Sequence, residues 1–249
     1  MAAANVLQPL IDVLDPIIKF LHDTVGLNWA LAIIALTFIV RAAMVPITLR
    51  GIRSMRRMQI LAPRMKELQA KYQKSDPQRF QREVMELYRK EGVNPLSSCL
   101  TFALQIPIFI ALYGLLRGSG FKSDVLASGS PGGLGVHSVV ANPEGAELII
   151  LIALFIVSTI ASMQVTMSMN PTATPGQRYI MYLFPLMIVP FMANAPAGLS
   201  VYWIASSVWT LGQQYVVQRV MPPPPQPAPE EARKAKPPPP PPRKRKRRR

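Results

Sequence analysis

Apolar residues fall along this chain in long blocks separated by polar, basic stretches, and block length is the first clue. A helix rising ~1.5 Å per residue crosses the ~30 Å hydrocarbon core of a bilayer in about 20 residues. Five segments fit, at about 28–49, 95–116, 146–168, 179–194 and 199–218, the fourth being short for a span. Ala195-Pro196-Ala197-Gly198 joins the last two and predicts a tight turn. Ahead of the first block, Leu7, Leu10, Ile11, Leu14, Ile17, Ile18 and Leu21 recur at helical spacing. They predict an amphipathic helix over residues 1–27, lying in the plane of the interface. Three aspartates there against the single Lys19 are the wrong charge for a cleavable leader or transit peptide.

The pattern changes between the first two blocks. Over residues 50–94, Met58, Leu61, Met65, Leu68 and Tyr72 alternate spacings of three and four, as do Phe80, Val84 and Leu87. Ser75-Asp76-Pro77 supplies a helix cap followed by proline at the first helical position. The segment reads as a helical hairpin with a coiled-coil-like seam and a basic outer face carrying Arg64, Lys66, Lys71, Lys74, Arg79 and Arg82. That face suits solvent, anionic headgroups or ribosomal RNA. Residues 118–145 are rich in glycine, serine and proline and read as a mobile loop. Residues 220–249 hold two proline runs and the terminal cluster Arg243, Lys244, Arg245, Lys246, Arg247, Arg248 and Arg249. They predict a disordered electrostatic arm directed at ribosomal RNA or anionic lipid.

Composition agrees with this division into an interfacial helix, a five-span core over 28–219 with its hairpin, and a tail. The 249 residues are 49% hydrophobic, with mean hydropathy +0.20, yet carry a formal charge of +15. Soluble domains rarely combine the two. Twelve lysines and arginines lie in 50–90 and eleven in 219–249, while the turn after the fourth block has none. The excess of basic residues faces the cytoplasm. The expected fold is therefore an all-α membrane protein of five transmembrane helices, N-terminus outside and C-terminus in the cytoplasm, in a bacterial plasma membrane. One cysteine, Cys99, excludes an intramolecular disulfide, and no spacing of ligands predicts a metal or other cofactor. His22 and His137 are far apart in sequence, and no aspartate or histidine lies in a span, which argues against an intramembrane hydrolase.

The polar residues inside the spans carry the functional signal. Arg41 lies ~4 Å to the cytoplasmic side of the middle of the first span. A central arginine costs about 2.5–3.5 kcal/mol on insertion scales. Its guanidinium would only partly cover the ~12 Å to the nearer interface by snorkelling, so it marks a functional site. Thr37 and Thr48 share its face. Ser98, Thr101 and Gln105 form a stripe on the second span, Ser158, Ser162 and Thr166 one on the third, and Trp203, Ser206, Ser207, Thr210 and Gln214 one on the fifth. Each stripe alone is explained by interhelical hydrogen bonds of ~0.6 kcal/mol. Together they lie in the cytoplasmic halves of their spans, which describes a cavity open to one side rather than a pore. No acidic residue inside a span neutralises Arg41, so the pocket must be hydrated or receive an anion. A small-anion transporter using Arg41 as its substrate site is the alternative, but no internal repeat of the transporter kind is visible.

The chain also resembles the YidC/Oxa/Alb family of membrane protein insertases over most of 28–214. Arg41, Pro46, Arg50 and the stretch Met55-Arg56-Arg57-Met58-Gln59 carry the likeness first. Leu87-Tyr88-Arg89-Lys90-Glu91-Gly92-Val93-Asn94-Pro95-Leu96 and Gln105-Ile106-Pro107-Ile108-Phe109 extend it, and Pro196-Ala197-Gly198-Leu199 and Tyr202-Trp203-Ile204 complete it. The resemblance implies a short-form insertase, without the large periplasmic domain of some members, that is not an enzyme. It implies a five-helix core with a hydrophilic groove open to cytoplasm and lipid, in which Arg41 receives the hydrophilic part of a nascent membrane protein. Thr37, Gln105 and Trp203 would line that groove. The hairpin would contact the targeting machinery, and the tail, with the hairpin, the ribosome; the Sec translocon is a further candidate partner, with no segment assigned to it. Thr101 stands where the family usually has proline, and Ser206 and Ser207 where asparagines are common.

Overall fold

The computed structural model describes residues 2–93, 100–168 and 175–220, and within these the regular structure is helical. In chain order the helices are α1 (Ala2–Asp23), α2 (Trp29–Ile60), α3 (Ala62–Tyr72), α4 (Pro77–Lys90), α5 (Leu100–Arg117), α6 (Ser119–Ala127), α7 (Gly145–Ser168), α8 (Pro175–Ala193) and α9 (Ala197–Val220). By length and hydropathy two of them, α2 and α7, are able to cross a membrane, with mean hydropathy 2.3 and 2.5. A third candidate is α5 with α6, bent by 61° at their junction. The hydroxyl and amide groups along α9 lower its hydropathy. Only 22% of the most apolar stretch of α7 is buried within the protein. Ile149 and Val157 are 69% and 68% exposed. So large an apolar surface calls for lipid around it. The molecule is a multi-pass α-helical membrane protein.

Local signals set the helix ends. Asn28 Oδ1 accepts the Leu31 N–H at 2.9 Å and caps α2. Asp76 Oδ1 accepts the Arg79 N–H at 3.0 Å and caps α4, whose first turn opens with Pro77. α2 runs on without a break through Arg50 to Ile60, so only α3 and α4 form the hairpin. A small apolar core of Met58, Leu61 and Val93, with Leu87 and Tyr88 packed against it, holds the hairpin to the end of α2. The ion pair Arg64–Glu91 at 2.8 Å joins α3 to the end of α4 within the hairpin.

α9 is the central strut, packed between α2 and α7, with α8 against α7 and α1 across α2 and α5. The apolar stripe of α1 is buried, Leu14, Ile18 and Leu21 entering the main core. At the crossing of α1 and α5, Gly114 leaves room for Ile11, whose Cδ1 is 3.2 Å from where a Cβ would stand.

The segment 118–145 departs from the mobile loop expected of its composition. α6 sends Phe121 and Val125 into the core, and Val136, Val139 and Val140 follow. Trp29 ties these parts together: its indole N–H donates to Ser128 Oγ at 2.9 Å, its ring stacks on His22 at 3.9 Å and it meets Phe121 edge-on at 5.3 Å. Lys19 of α1 pairs with Asp124 of α6 and with Asp15, at 2.8 and 2.9 Å. Its hydrogen bonds to Asp124 and then Asp15 raise the Lys19 pKa above 10.5. The N-terminus of α9 docks on the same segment, with Ala197 N–H on Ala141 O at 2.8 Å and Gly198 N–H on Val139 O at 2.9 Å. Glycine and proline here permit close approach rather than motion. A Cβ on Gly132 would fall 1.9 Å from Val136 O, and one on Gly198 would fall 2.7 Å from Ile33 Cδ1. This end of the bundle is a closed, apolar cap.

Candidate functional site, a polar half beneath an apolar cap

The main core ends one helical layer above Arg41. Its last members are Leu36 on α2, Ala111 on α5, Phe155 on α7 and Tyr202 on α9. Beyond them, toward the basic hairpin, the interior turns polar on α2, α5, α7 and α9. The transition is marked by aromatic rings: Trp203 lies 4.9 Å from Phe109 and 5.5 Å from Phe155, and Phe109 and Tyr113 lie 5.9 and 5.8 Å from Phe191. These contacts join α5, α7, α8 and α9 in the capped half. A narrow apolar cleft lined by Leu14, Leu36, Thr37, Val40, Ile108, Leu112 and Tyr202 lies at the same level.

Arg41 sits on the inward face of α2 with Thr37, Met44 and Thr48, which are buried, while Arg41 itself is half-buried. It forms no ion pair or hydrogen bond among the described residues, and the Tyr202 phenol is within electrostatic range. Across from it, Gln105 Nε2 donates to Tyr202 Oη, and the buried Gln105 Oε1 has no partner among the described residues. Arg41, Gln105 and Tyr202 thus bring α2, α5 and α9 to one place, while Trp203 stays among the aromatic rings at the edge of the cap. A guanidinium in this setting is a donor whose acceptors are not supplied by the described residues, and water or a visiting polar group can serve in their place.

The hydroxyl rows divide in two. Thr37, Thr48, Ser158, Ser162 and Thr210 each donate to a backbone carbonyl three or four residues earlier, at 2.6–3.2 Å. Such bonds satisfy a hydroxyl in an apolar setting without a partner helix. Ser162 and Ser206 are buried on α7 and α9, and the two helices are bonded to each other by Thr159 Oγ1, 3.4 Å from Ser207 Oγ, and by Gln214 Nε2 donating to Thr166 Oγ1 at 2.6 Å. They let two backbones approach and join them. Ser158 and Thr210 are half-buried. On the other side of α9, Gln213 Nε2 donates to Thr48 Oγ1 at 2.7 Å, and Arg56 Nη2 donates to Val217 O at 3.1 Å. The α2–α9 boundary is therefore clasped below Arg41. Ser98 and the terminal Arg243–Arg249 lie outside the described residues, and for Thr101 only its place in α5 is described.

Tyr202, Thr159 and Gln213 are the residues that reading the sequence overlooked. Tyr202 stands four before Ser206, and Thr159 continues the buried spacing Leu151, Phe155, Thr159 and Ser162. Both signals are periodic. The two histidines have structural partners: His22 as above, and His137 Nδ1 2.6 Å from Glu147 Oε2.

Known proteins match this arrangement of helices and residues. The chain belongs to the 60Kd inner membrane protein family, whose model matches residues 20–224. It is similar to the membrane protein insertase YidC of Helicobacter pylori, 37% identical over 209 residues that make up 82% of this chain and 35% of that protein. The YidC of Campylobacter jejuni is 35% identical over 205 residues, covering 82% of this chain and 36% of that one. The YidC of Streptomyces avermitilis is 34% identical over 226 residues, or 79% and 53%. The chain thus spans about a third to a half of the length of these relatives. Its fold matches the crystal structure of an active YidC insertase with its first transmembrane domain resolved, at TM-score 0.63 and 22% identity, covering 85% of this chain and 46% of that one.

Proposed function

We propose that this chain is a membrane protein insertase of the bacterial inner membrane, acting through a hydrophilic groove in the cytoplasmic half of a five-span bundle. α2, α5, α7, α8 and α9 are the spans, with the N-terminus outside and the C-terminus inside. α1 lies along the outer interface. The observation that carries this reading is the one-sided polarity of the interior: a sealed apolar cap at one end, and at the other Arg41 with no charged partner among the described residues. The names of its relatives point the same way.

In lipid each bare polar group of an incoming chain costs several kcal/mol. Water and one fixed cation inside the inner half of the bilayer lower that cost for a short hydrophilic stretch. They also shorten the path still to be crossed. The incoming apolar segment then leaves into lipid, driven by about 25 cal/mol for each Å² of apolar surface removed from water. No covalent bond changes, so the residues named are binding rather than catalytic groups. The substrates are nascent membrane proteins. Ribosome, targeting particle and Sec translocon are partners for the basic hairpin and tail. A carrier of small anions would need the outer end to open, and the contacts of Trp29, Gly132 and Gly198 hold that end shut.

The test is rescue of cells depleted of their own insertase, scored by insertion of several single-span substrates. Arg41→Ala is expected to lower insertion severalfold while the protein still accumulates, with Arg41→Lys retaining most of it. Full insertion of every substrate by Arg41→Ala would remove the groove cation from the mechanism.

A further inference from the structure

α2 carries arginines of two kinds, separated by which way they face. On the outward face, Ile39, Ala43 and Pro46 are exposed and form a lipid-facing stripe at alternating spacings of four and three. The same stripe continues without a break of helix or register into Arg50, Arg53 and Arg57, all exposed. From Trp29 to Arg50 the helix rises ~31 Å, the thickness of the hydrocarbon core. The three guanidinium groups thus occupy the next ~10 Å, where phosphates lie.

Their charges are also unspent. The hairpin's Arg64, Arg79 and Lys90 pair with Glu91, Glu83 and Glu86. Arg50, Arg53 and Arg57 form no ion pair among the described residues, and no acidic residue occurs in the sequence between Asp23 and Glu67. Arg56, off the stripe, turns inward to Val217. We propose that Arg50, Arg53 and Arg57 form a binding site for the phosphodiester headgroups of anionic phospholipids in the cytoplasmic leaflet. Guanidinium forks at i, i+3 and i+7 present donors to successive phosphates along one line. Because α2 is continuous from Arg57 back to Arg41, lipid held here fixes the depth at which Arg41 sits. Arg50, Arg53 and Arg57 are in that sense positioning residues. The proposal rests on α2 crossing the membrane with its basic end in the cytoplasm, and not on insertase activity.

The test uses the full chain in detergent, titrated with dioleoylphosphatidylglycerol or dioleoylphosphatidylcholine, with individual binding events resolved by native mass spectrometry. Wild type is expected to prefer phosphatidylglycerol. Replacing all three arginines by glutamine should abolish that preference, at about fivefold for each, the factor equivalent to ~1 kcal/mol per basic residue near an anionic surface. Lysine at all three positions should keep most of it. A hairpin control, Lys66→Gln with Lys71→Gln and Lys74→Gln, should leave it unchanged. If the triple glutamine variant does not fold, Arg53→Gln alone carries the test with its fivefold loss. An unchanged preference in the stripe variants, or an equal loss in the hairpin control, would overturn the proposal. So would a stripe variant that loses binding to a ribosomal RNA hairpin while still preferring phosphatidylglycerol.

Discussion

Two side chains nine residues apart on one helix, Arg41 and Arg50, show how position decides what an arginine does. Arg41 lies on the inward face of α2 with the buried Thr37, Met44 and Thr48, whereas Arg50 lies on the exposed face. The cost of placing a cation at Arg41 could be read from sequence, because it follows from depth alone. The hydroxyls were harder. A serine that lines water and a serine that lets two helices touch occupy the same periodic positions, and only packing tells Ser158 from Ser162. Thr48 illustrates the second kind, since its Oγ1 accepts from Gln213 across the α2–α9 boundary. Thr48→Val with Gln213→Leu in a double-mutant cycle is expected to show a coupling of about 0.6 kcal/mol in unfolding from detergent micelles. Zero coupling would mean that the clasp contributes nothing.

At the scale of elements, hydropathy blocks gave the approximate positions of the long helices, and the cap Asp76 gave the start of α4, whereas the cap at Asn28 emerged only in the structure. What composition concealed was the order in 118–145. Glycine is enriched both in mobile loops and where backbones touch, and the difference lies in partners distant in sequence, such as Val139 against Gly198. The two glycines of α9 separate these cases. Gly198→Ala drives a Cβ to 2.9 Å from Val139 O as well as against Ile33, so thermal unfolding should show a loss of about 1–3 kcal/mol. Gly212 has nothing within 4 Å, and Gly212→Ala should gain about 0.5–1 kcal/mol from helix propensity. Equal effects at both positions would contradict the close docking of α9 on the cap. α1 shows a related limit. Its amphipathic stripe was plain in sequence, but that the stripe would bury against α2 and α5 depended on Gly114 opening a place for Ile11.

Seen whole, the molecule is built in two unlike halves. One is a closed knot of α1, α6, the segment after it and the entrance to α9. The other is a polar interior beside a basic hairpin and a line of outward arginines. On the proposed insertase reading, this division would place water where a chain enters and deny it where ions would leak. Gln105 and Leu116 sample the two halves on nearly the same face of α5, three turns apart. With Cys99 replaced by serine, Gln105→Cys and Leu116→Cys can be treated with a membrane-impermeant thiol reagent in inverted and right-side-out vesicles. Labelling of Gln105→Cys in inverted vesicles alone, with Leu116→Cys protected in both, is the predicted result. Protection of Gln105→Cys in inverted vesicles, or its labelling from the outer face, would contradict a hydrated groove open only to the cytoplasm.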